Sequence, residues 1–312
     1  MKIAITLGDP AGIGPEIIIK SIPQFRYLKS VQIFGNKQIL KKTAQDMRAS
    51  NKYRLISNMI CDCTDTVQYK YGNPTVKTGQ VAMQSLDCAL NSNPDILITP
   101  PIVKDVIRQF LPNFTGHTEY LASFFQAKEF AMVGVWRNKR IMLTTTHLPL
   151  RRIFKKITPK TVLCKIMLLE RGLRQYFGVP RPHIGVSSLN PHAHEFSLGE
   201  DEKIEQAVKA AQKRHINCHG PYPADSLFNR KFDGFLTMFH DQAMIYLKSK
   251  KDGLNFTLGL PIIRLSPLYG AALDIAGKNR AKVSGLTAAI KVGVMLYKNK
   301  RKYDQKCKNI SD

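Results

Sequence analysis

Apolar runs rich in β-branched residues recur along the chain at 2–7, 31–34, 96–98, 130–136, 141–146, 184–189 and 234–239, and segments with helical spacing lie between most of them. This alternation of strand and helix predicts an α/β architecture with mainly parallel sheets, in which ligands sit beyond the carboxyl ends of the strands. The clearest helix is expected over 280–297, where Val283, Leu286, Ile290, Gly293 and Leu296 recur at spacings of three and four and form one buried stripe. A second follows Thr78, with Val81, Met83, Leu86 and Leu90 inside it. A third, over 201–214, opens on Glu200, Asp201 and Glu202, acids that suit the positive end of a helix.

A length of 312 residues with 44% hydrophobic positions suits two domains, each able to bury a core. No stretch approaches the ~20 apolar residues of a membrane span. Met1-Lys2 runs directly into an apolar strand with Gly8-Asp9-Pro10 behind it, which does not read as a cleavable signal, and a cytoplasmic location is expected. The six cysteines are scattered; Cys61 and Cys63 lack a second pair to complete a structural zinc site, and all six read as reduced thiols.

The 47 Lys and Arg against 23 Asp and Glu leave a formal charge of +24. The excess is partly clustered, between Arg151 and Arg181 and again from Lys298 to Lys308. Aromatic residues hardly interleave these runs, and no helix-turn-helix, zinc-finger or RNA-binding signature appears, so nucleic acid is not the expected partner. The clusters read as a solvated basic face that would attract anionic metabolites.

Three constellations could carry chemistry. Gly8-Asp-Pro-Ala-Gly-Ile-Gly-Pro-Glu16 lies between a strand and a helix start; Gly12 and Gly14 permit close backbone approach, and amides of a first helical turn could receive an anion, although Ile17 stands at the third glycine position of a dinucleotide fingerprint. His147, His192 and His240 each follow an apolar segment. If parallel strands end at a common rim, three imidazoles there could bind one divalent ion with coordination positions left open, with Asp241 and Asp225 as carboxylates near enough to support them. Gly116-His117-Thr118-Glu119, Lys248, Asn255 and Arg264 are candidates for binding an anion.

Thr6-Leu-Gly-Asp-Pro-Ala-Gly-Ile-Gly-Pro-Glu16, Gly116-His-Thr-Glu119, Leu189-Asn-Pro-His-Ala193, Gly220-Pro-Tyr-Pro-Ala-Asp225, Met238-Phe-His-Asp-Gln242 and Asn255-Phe-Thr-Leu-Gly-Leu-Pro261 resemble, in order, the motifs of the 4-hydroxythreonine-4-phosphate dehydrogenase family. The resemblance implies a two-domain fold of the isocitrate/isopropylmalate dehydrogenase type, expected as 1–114 with 268–312 and as 115–267. It also implies a homodimer with its site at the subunit interface, and a step in pyridoxal phosphate biosynthesis.

By that resemblance His147, His192 and His240 hold a divalent metal (zinc, magnesium, manganese or cobalt), one ligand reaching across from the partner subunit. His117, Thr118, Lys248, Asn255 and Arg264 bind substrate, NAD or NADP is the oxidant, and Gly12 and Gly14 are the candidate cofactor contacts. Lys248, or a water held near Asp225, is the candidate for taking the hydroxyl proton. Departures from the family pattern are Tyr269 in place of a histidine, Ala271 in place of a threonine, His194 in place of a glycine, and Val103 in place of an asparagine beside a retained Lys104. A sister dehydrogenase of threonate or erythronate phosphate, and a non-catalytic polyanion-binding relative, are the alternatives.

Overall fold

The computed structural model describes every residue except 26, 27, 29 and 312, and in 310 and 311 the backbone only. The chain divides into two compact units, Met1–Gln126 with Leu260–Val294, and Ala127–Gly259 with Met295–Asp312. Their boundaries differ from those expected: 115–126 and 260–267 belong to the first unit, and 295–312 to the second.

The first unit starts with β1 (Ile3–Thr6), α1 (Gly14–Ser21), β2 (Val31–Gly35), α2 (Lys37–Asp46), α3 (Ser50–Ile56) and β3 (Ile60–Asp62). It continues through α4 (Val76–Asn91), β4 (Ile96–Ile98), α5 (Lys104–Arg108) and α6 (His117–Phe124). The second unit carries β5 (Ala131–Trp136), β6 (Lys139–Leu143), α7 (Leu150–Lys156), α8 (Pro159–Gln175), β7 (Ile184–Ser187) and α9 (Glu200–Gln212). It then adds β8 (Cys218–Tyr222), α10 (Ala224–Leu227), β9 (Gly234–Thr237), α11 (His240–Lys248) and β10 (Leu254–Leu258). The chain returns to the first unit with β11 (Ile263–Pro267) and ends in α12 (Ser284–Ser311).

Strands of the first unit run in the order β3-β2-β1-β4-β11 with every pairing parallel. All four residues of β1 are buried, as are the three of β4, because helices cover both faces of a parallel sheet. α4 begins one residue after Thr75, whose hydroxyl accepts from the Thr78 amide while the Thr78 hydroxyl accepts from the Thr75 amide, a reciprocal cap. Its apolar stripe buries Val81, Leu86 and Leu90.

In the second unit the order is β10-β5-β6-β9-β7-β8; β10 to β5 and β5 to β6 are antiparallel, and the remaining pairs parallel. Thr158 caps α8 by accepting from the Thr161 amide, with Pro159 in the first turn. α8 lies close against the sheet: a Cβ on Gly234 of β9 would stand 2.6 Å from a Leu173 methyl. Phe235 and Phe256 are wholly buried among these elements.

The seven expected strands form, with β6 and β9 ending at Leu143 and Thr237. β3, β8, β10 and β11 were not expected. β8 carries Gly220 and Pro221, which suppress a strand signal and are tolerated at a sheet edge, and β10 and β11 carry Asn255 and Arg264 inside short apolar runs. α12 runs 14 residues beyond its expected end, through lysines and arginines that keep helical propensity without a buried stripe. The six cysteines are free thiols. Arg151, Arg152, Lys155 and Lys156 of α7 are exposed, as a solvated basic face requires.

Leu86→Ala, which empties a fully buried position of α4, should cost about 2–5 kcal/mol of stability, measured by denaturant unfolding.

Candidate functional site

The turn after β1 is fully buried from Leu7 to Gly14. Gly8 has φ +72°, and a Cβ there would stand 2.7 Å from the Pro101 carbonyl oxygen, so the position admits only glycine. Gly12 faces the Ala271 carbonyl oxygen, 2.9 Å from where a Cβ would lie, and Gly14 likewise approaches the Leu7 carbonyl oxygen. These two glycines, expected to contact a cofactor, are therefore required by packing against the chain's own backbone.

Asp9 and Glu16, the acids of this motif, are also built into the fold. One Asp9 oxygen accepts from the Ala11 amide at 2.9 Å, and burial raises its carboxyl above the ordinary range. Glu16 accepts from Lys20 Nζ and from the Ala281 amide, both at 2.7 Å, which ties the chain near 281 to α1.

A cationic cluster occupies the first unit. Arg264, on β11, is 2% exposed. Its Nε and Nη2 donate to Thr99 Oγ1 at 3.2 and 2.7 Å, and Nη1 to Thr118 Oγ1 at 3.4 Å. Burial pushes the guanidinium down to about 10, with Glu119 opposing, so it stays cationic at neutral pH. Lys104 is lowered chiefly by burial, and Glu119 again opposes. His117 is driven well below its usual range by desolvation first and then by the Arg264 and Lys104 cations, which makes it neutral. Three of the expected substrate residues, His117, Thr118 and Arg264, are thus brought together.

The other candidates lie in the second unit. β6, β9 and β7 are consecutive parallel neighbours, with Leu143 opposite Thr237 and Val186 opposite Leu236. Their carboxyl ends are therefore level, and His147, His240 and His192 follow those ends at one edge of the sheet. The His147 and His240 rings lie 5.7 Å apart between centroids. His240 Nδ1 is 2.7 Å from Asp241 Oδ1, and His192 Nδ1 is 3.1 Å from Glu195 Oε2. A carboxylate on Nδ1 selects the tautomer whose Nε2 lone pair points away, the arrangement of metal-binding histidines. Among the described residues of this single chain, no group of three His, Cys, Asp or Glu side chains is close enough to hold a metal.

Side chains to which the sequence assigns no role at the site hold these loops. The wholly buried Asp201 accepts from the Leu189 amide at 2.7 Å and from Asn190 Nδ2 at 2.9 Å, anchoring the segment that leads to His192. Gln242 accepts from the Met238 amide at 2.8 Å and from the Ser187 hydroxyl at 3.1 Å, and donates to the Ser188 carbonyl at 2.8 Å, joining the ends of β7 and β9. The Thr145 amide and hydroxyl both donate to the Met238 carbonyl, which ties the His147 segment to that of His240.

Asn255, on β10, is 8% exposed, and its Oδ1 is buried with no hydrogen-bond partner among the described residues. Lys248 and Asp225 are exposed, on α11 and α10. His194 Nδ1 lies 3.4 Å from Glu202 Oε1 on the exposed surface. Tyr269 donates to the Lys282 carbonyl at 3.4 Å and packs against Gly285, and Ala271 packs against Gly12.

Parallel strands in both units, with a buried cationic cluster in one and an imidazole-bearing strand edge in the other, define an α/β enzyme fold with polar groups gathered beyond strand ends. Residues 27–293 match the family described as pyridoxal phosphate biosynthetic protein PdxA. The chain is 35% identical to 4-hydroxythreonine-4-phosphate dehydrogenase of Sulfurihydrogenibium sp., over 95% of this chain and 98% of that protein. The crystal structure of 4-hydroxythreonine-4-phosphate dehydrogenase from Klebsiella pneumoniae superposes with a TM-score of 0.78 at 28% identity, covering 95% of this chain and 99% of that one. Isocitrate dehydrogenase from Methylococcus capsulatus shares the fold, with a TM-score of 0.51 at 12% identity over 99% of this chain and 88% of that one. The chain belongs to the PdxA family and is an enzyme of the dehydrogenase class.

Two tests address the loops and the cluster. Asp201→Ala removes the acceptor of the half-buried Leu189 amide, while Asn190 Nδ2 keeps Glu200, and should cost about 1–3 kcal/mol, read by denaturant unfolding. His117 titrates lower when folded than its ordinary value, so the unfolded chain takes up the proton first. Its contribution is present above about pH 6.5 and is lost as pH falls below it. His117→Asn should flatten stability against pH between about 6.5 and 5.

Proposed function

We propose that this enzyme oxidises the 3-hydroxyl of 4-(phosphooxy)-L-threonine with NAD or NADP, in a divalent-metal-dependent reaction. The product is 2-amino-3-oxo-4-(phosphooxy)butanoate, which loses carbon dioxide to give 3-amino-2-oxopropyl phosphate. The substrate named for the Sulfurihydrogenibium and Klebsiella relatives supports this reading. The observation that carries it is the position of His147, His240 and His192 beyond the carboxyl ends of three adjacent parallel strands, two of them with Nδ1 on a carboxylate.

When bound, a divalent cation would supply Lewis-acid stabilisation of negative charge on the substrate oxygen during oxidation and decarboxylation. His147, His192 and His240 would hold it, and the enzyme acts as a homodimer in which one of the three ligands comes from the partner subunit. Asp241 and Glu195 keep the His240 and His192 rings in the tautomer that presents Nε2.

Arg264, with Thr118 and neutral His117 beside it, binds an anionic group of the substrate through the donors of its fork. The buried Asn255 Oδ1 is an acceptor for a substrate N–H or O–H. Lys248, or a water near Asp225, takes the hydroxyl proton.

Purified protein given 4-(phosphooxy)-L-threonine, NAD and a divalent cation should produce NADH, followed at 340 nm. His240→Ala should lower kcat at least ~100-fold, since several kcal/mol of alkoxide stabilisation is removed. Full turnover by His240→Ala would overturn the metal mechanism, and turnover only with threonate or erythronate phosphate would reassign the substrate.

A further inference from the structure

We propose that Thr99 and Lys104 complete the anion site of the first unit: Thr99 is a positioning residue that aims the Arg264 fork, and Lys104 is the second cation that receives a phosphate group. That the phosphate is the substrate's rests on the function proposed above; the site itself rests on geometry.

Thr99 directly follows β4, and Arg264 lies on β11, the strand paired with β4, so one ladder holds both groups. The Thr99 amide donates to the Leu265 carbonyl at 3.0 Å, which fixes its backbone against β11. Its Oγ1 accepts from both Nε and Nη2 of Arg264, and the two residues are 1% and 2% exposed. Two bonds from one edge of a planar guanidinium to a single oxygen fix the plane and direct the opposite edge, where Nη1 meets Thr118. Valine has the shape of threonine without the acceptor, and would leave this buried edge of the fork unpaired.

Lys104 opens α5. A Cβ placed on Gly116 would lie 3.3 Å from Lys104 Nζ and 3.3 Å from Glu119 Oε2, so the ammonium and carboxylate share the space over that glycine, at the start of α6. Burial and the Arg264 cation disfavour the Lys104 charge, while Glu119 favours it. Two cations, one carboxylate and a neutral imidazole leave the cluster with one net positive charge in a desolvated setting. A phosphate monoester, carrying about −1.5 to −2, relieves the repulsion between the cations, offers oxygens to both a fork and a point charge, and accepts from hydroxyls. A carboxylate has two oxygens, which suit the fork alone.

The test measures inorganic phosphate binding by calorimetry, and steady-state KM and kcat, in wild type and in Thr99→Val, Thr99→Ser and Lys104→Met. Thr99→Val and Lys104→Met should each weaken phosphate binding about tenfold, as expected for one lost charge-assisted interaction. KM for the phosphorylated substrate should rise in parallel, with kcat and KM for the nicotinamide little changed, and Thr99→Ser should restore both. Wild-type phosphate affinity should fall as alkaline pH discharges Lys104 below the ordinary lysine range, and Lys104→Met should lack that limb.

Undiminished phosphate binding in Lys104→Met, or in a folded Thr99→Val, would overturn the assignment, as would wild type that binds no phosphate. Should Thr99→Val fail to fold, Thr99→Ser and Lys104→Met still decide the matter. Phosphate binding that both substitutions weaken, in a protein that does not oxidise 4-(phosphooxy)-L-threonine, would support this site while removing the proposed function.

Discussion

Parallel pairing of β6, β9 and β7 is the constraint on which the rest of the second unit depends. Leu143 lies opposite Thr237 and Val186 opposite Leu236, so the carboxyl ends are level and the residues past them leave from one edge. His147 and His240 are separated by dozens of residues in sequence, and this register brings their rings to 5.7 Å between centroids, while His192 follows the neighbouring strand at the same edge. Hydrogen bonds within the protein then hold the loops: Thr145 to the Met238 carbonyl, Gln242 across the ends of β7 and β9, and Asp201 under the His192 segment. Each is made by a buried or half-buried group, so release would leave donors unpaired and be costly.

Electrostatics organise the first unit differently. Burying a guanidinium is unfavourable unless its N–H groups are paired and its charge is offset. Thr99 and Thr118 pair them, and Glu119 offsets part of the charge while keeping Lys104 protonated. Burial first, and then the Arg264 and Lys104 cations, keep His117 neutral. What results is a preorganised, net positive cluster on β11, the residue after β4 and two helix starts, where an anion needs little rearrangement to bind.

Much of this was legible in the sequence because it depends on local pattern. Continuous apolar runs marked β1, β4 and β9, and the stripe of Val81, Leu86 and Leu90 marked α4. The strand-terminal histidines could be read as one rim once parallel strands were expected. Partners set by tertiary structure were not legible. Asp201 reads as a helix-start acid, yet its carboxylate turns back to the 189–190 amides, and Gln242 and Thr99 are ordinary residue types whose role appears only when two strands are side by side. Gly12 and Gly14 look like ligand contacts from spacing, but close approach of the Ala271 and Leu7 backbone explains both. β8 and β11 were hidden by Pro221 and Arg264, residues that a strand accepts at an edge or where a polar partner is waiting.

The central claim is that three imidazoles hold one divalent cation. Equilibrium dialysis of the full-length protein against cobalt(II), with bound metal counted per chain and followed by its visible absorption, tests it most directly. The account predicts one cobalt per chain, lost in His147→Ala, His192→Ala and His240→Ala alike while the fold persists. Unchanged stoichiometry and spectrum in His192→Ala would contradict it.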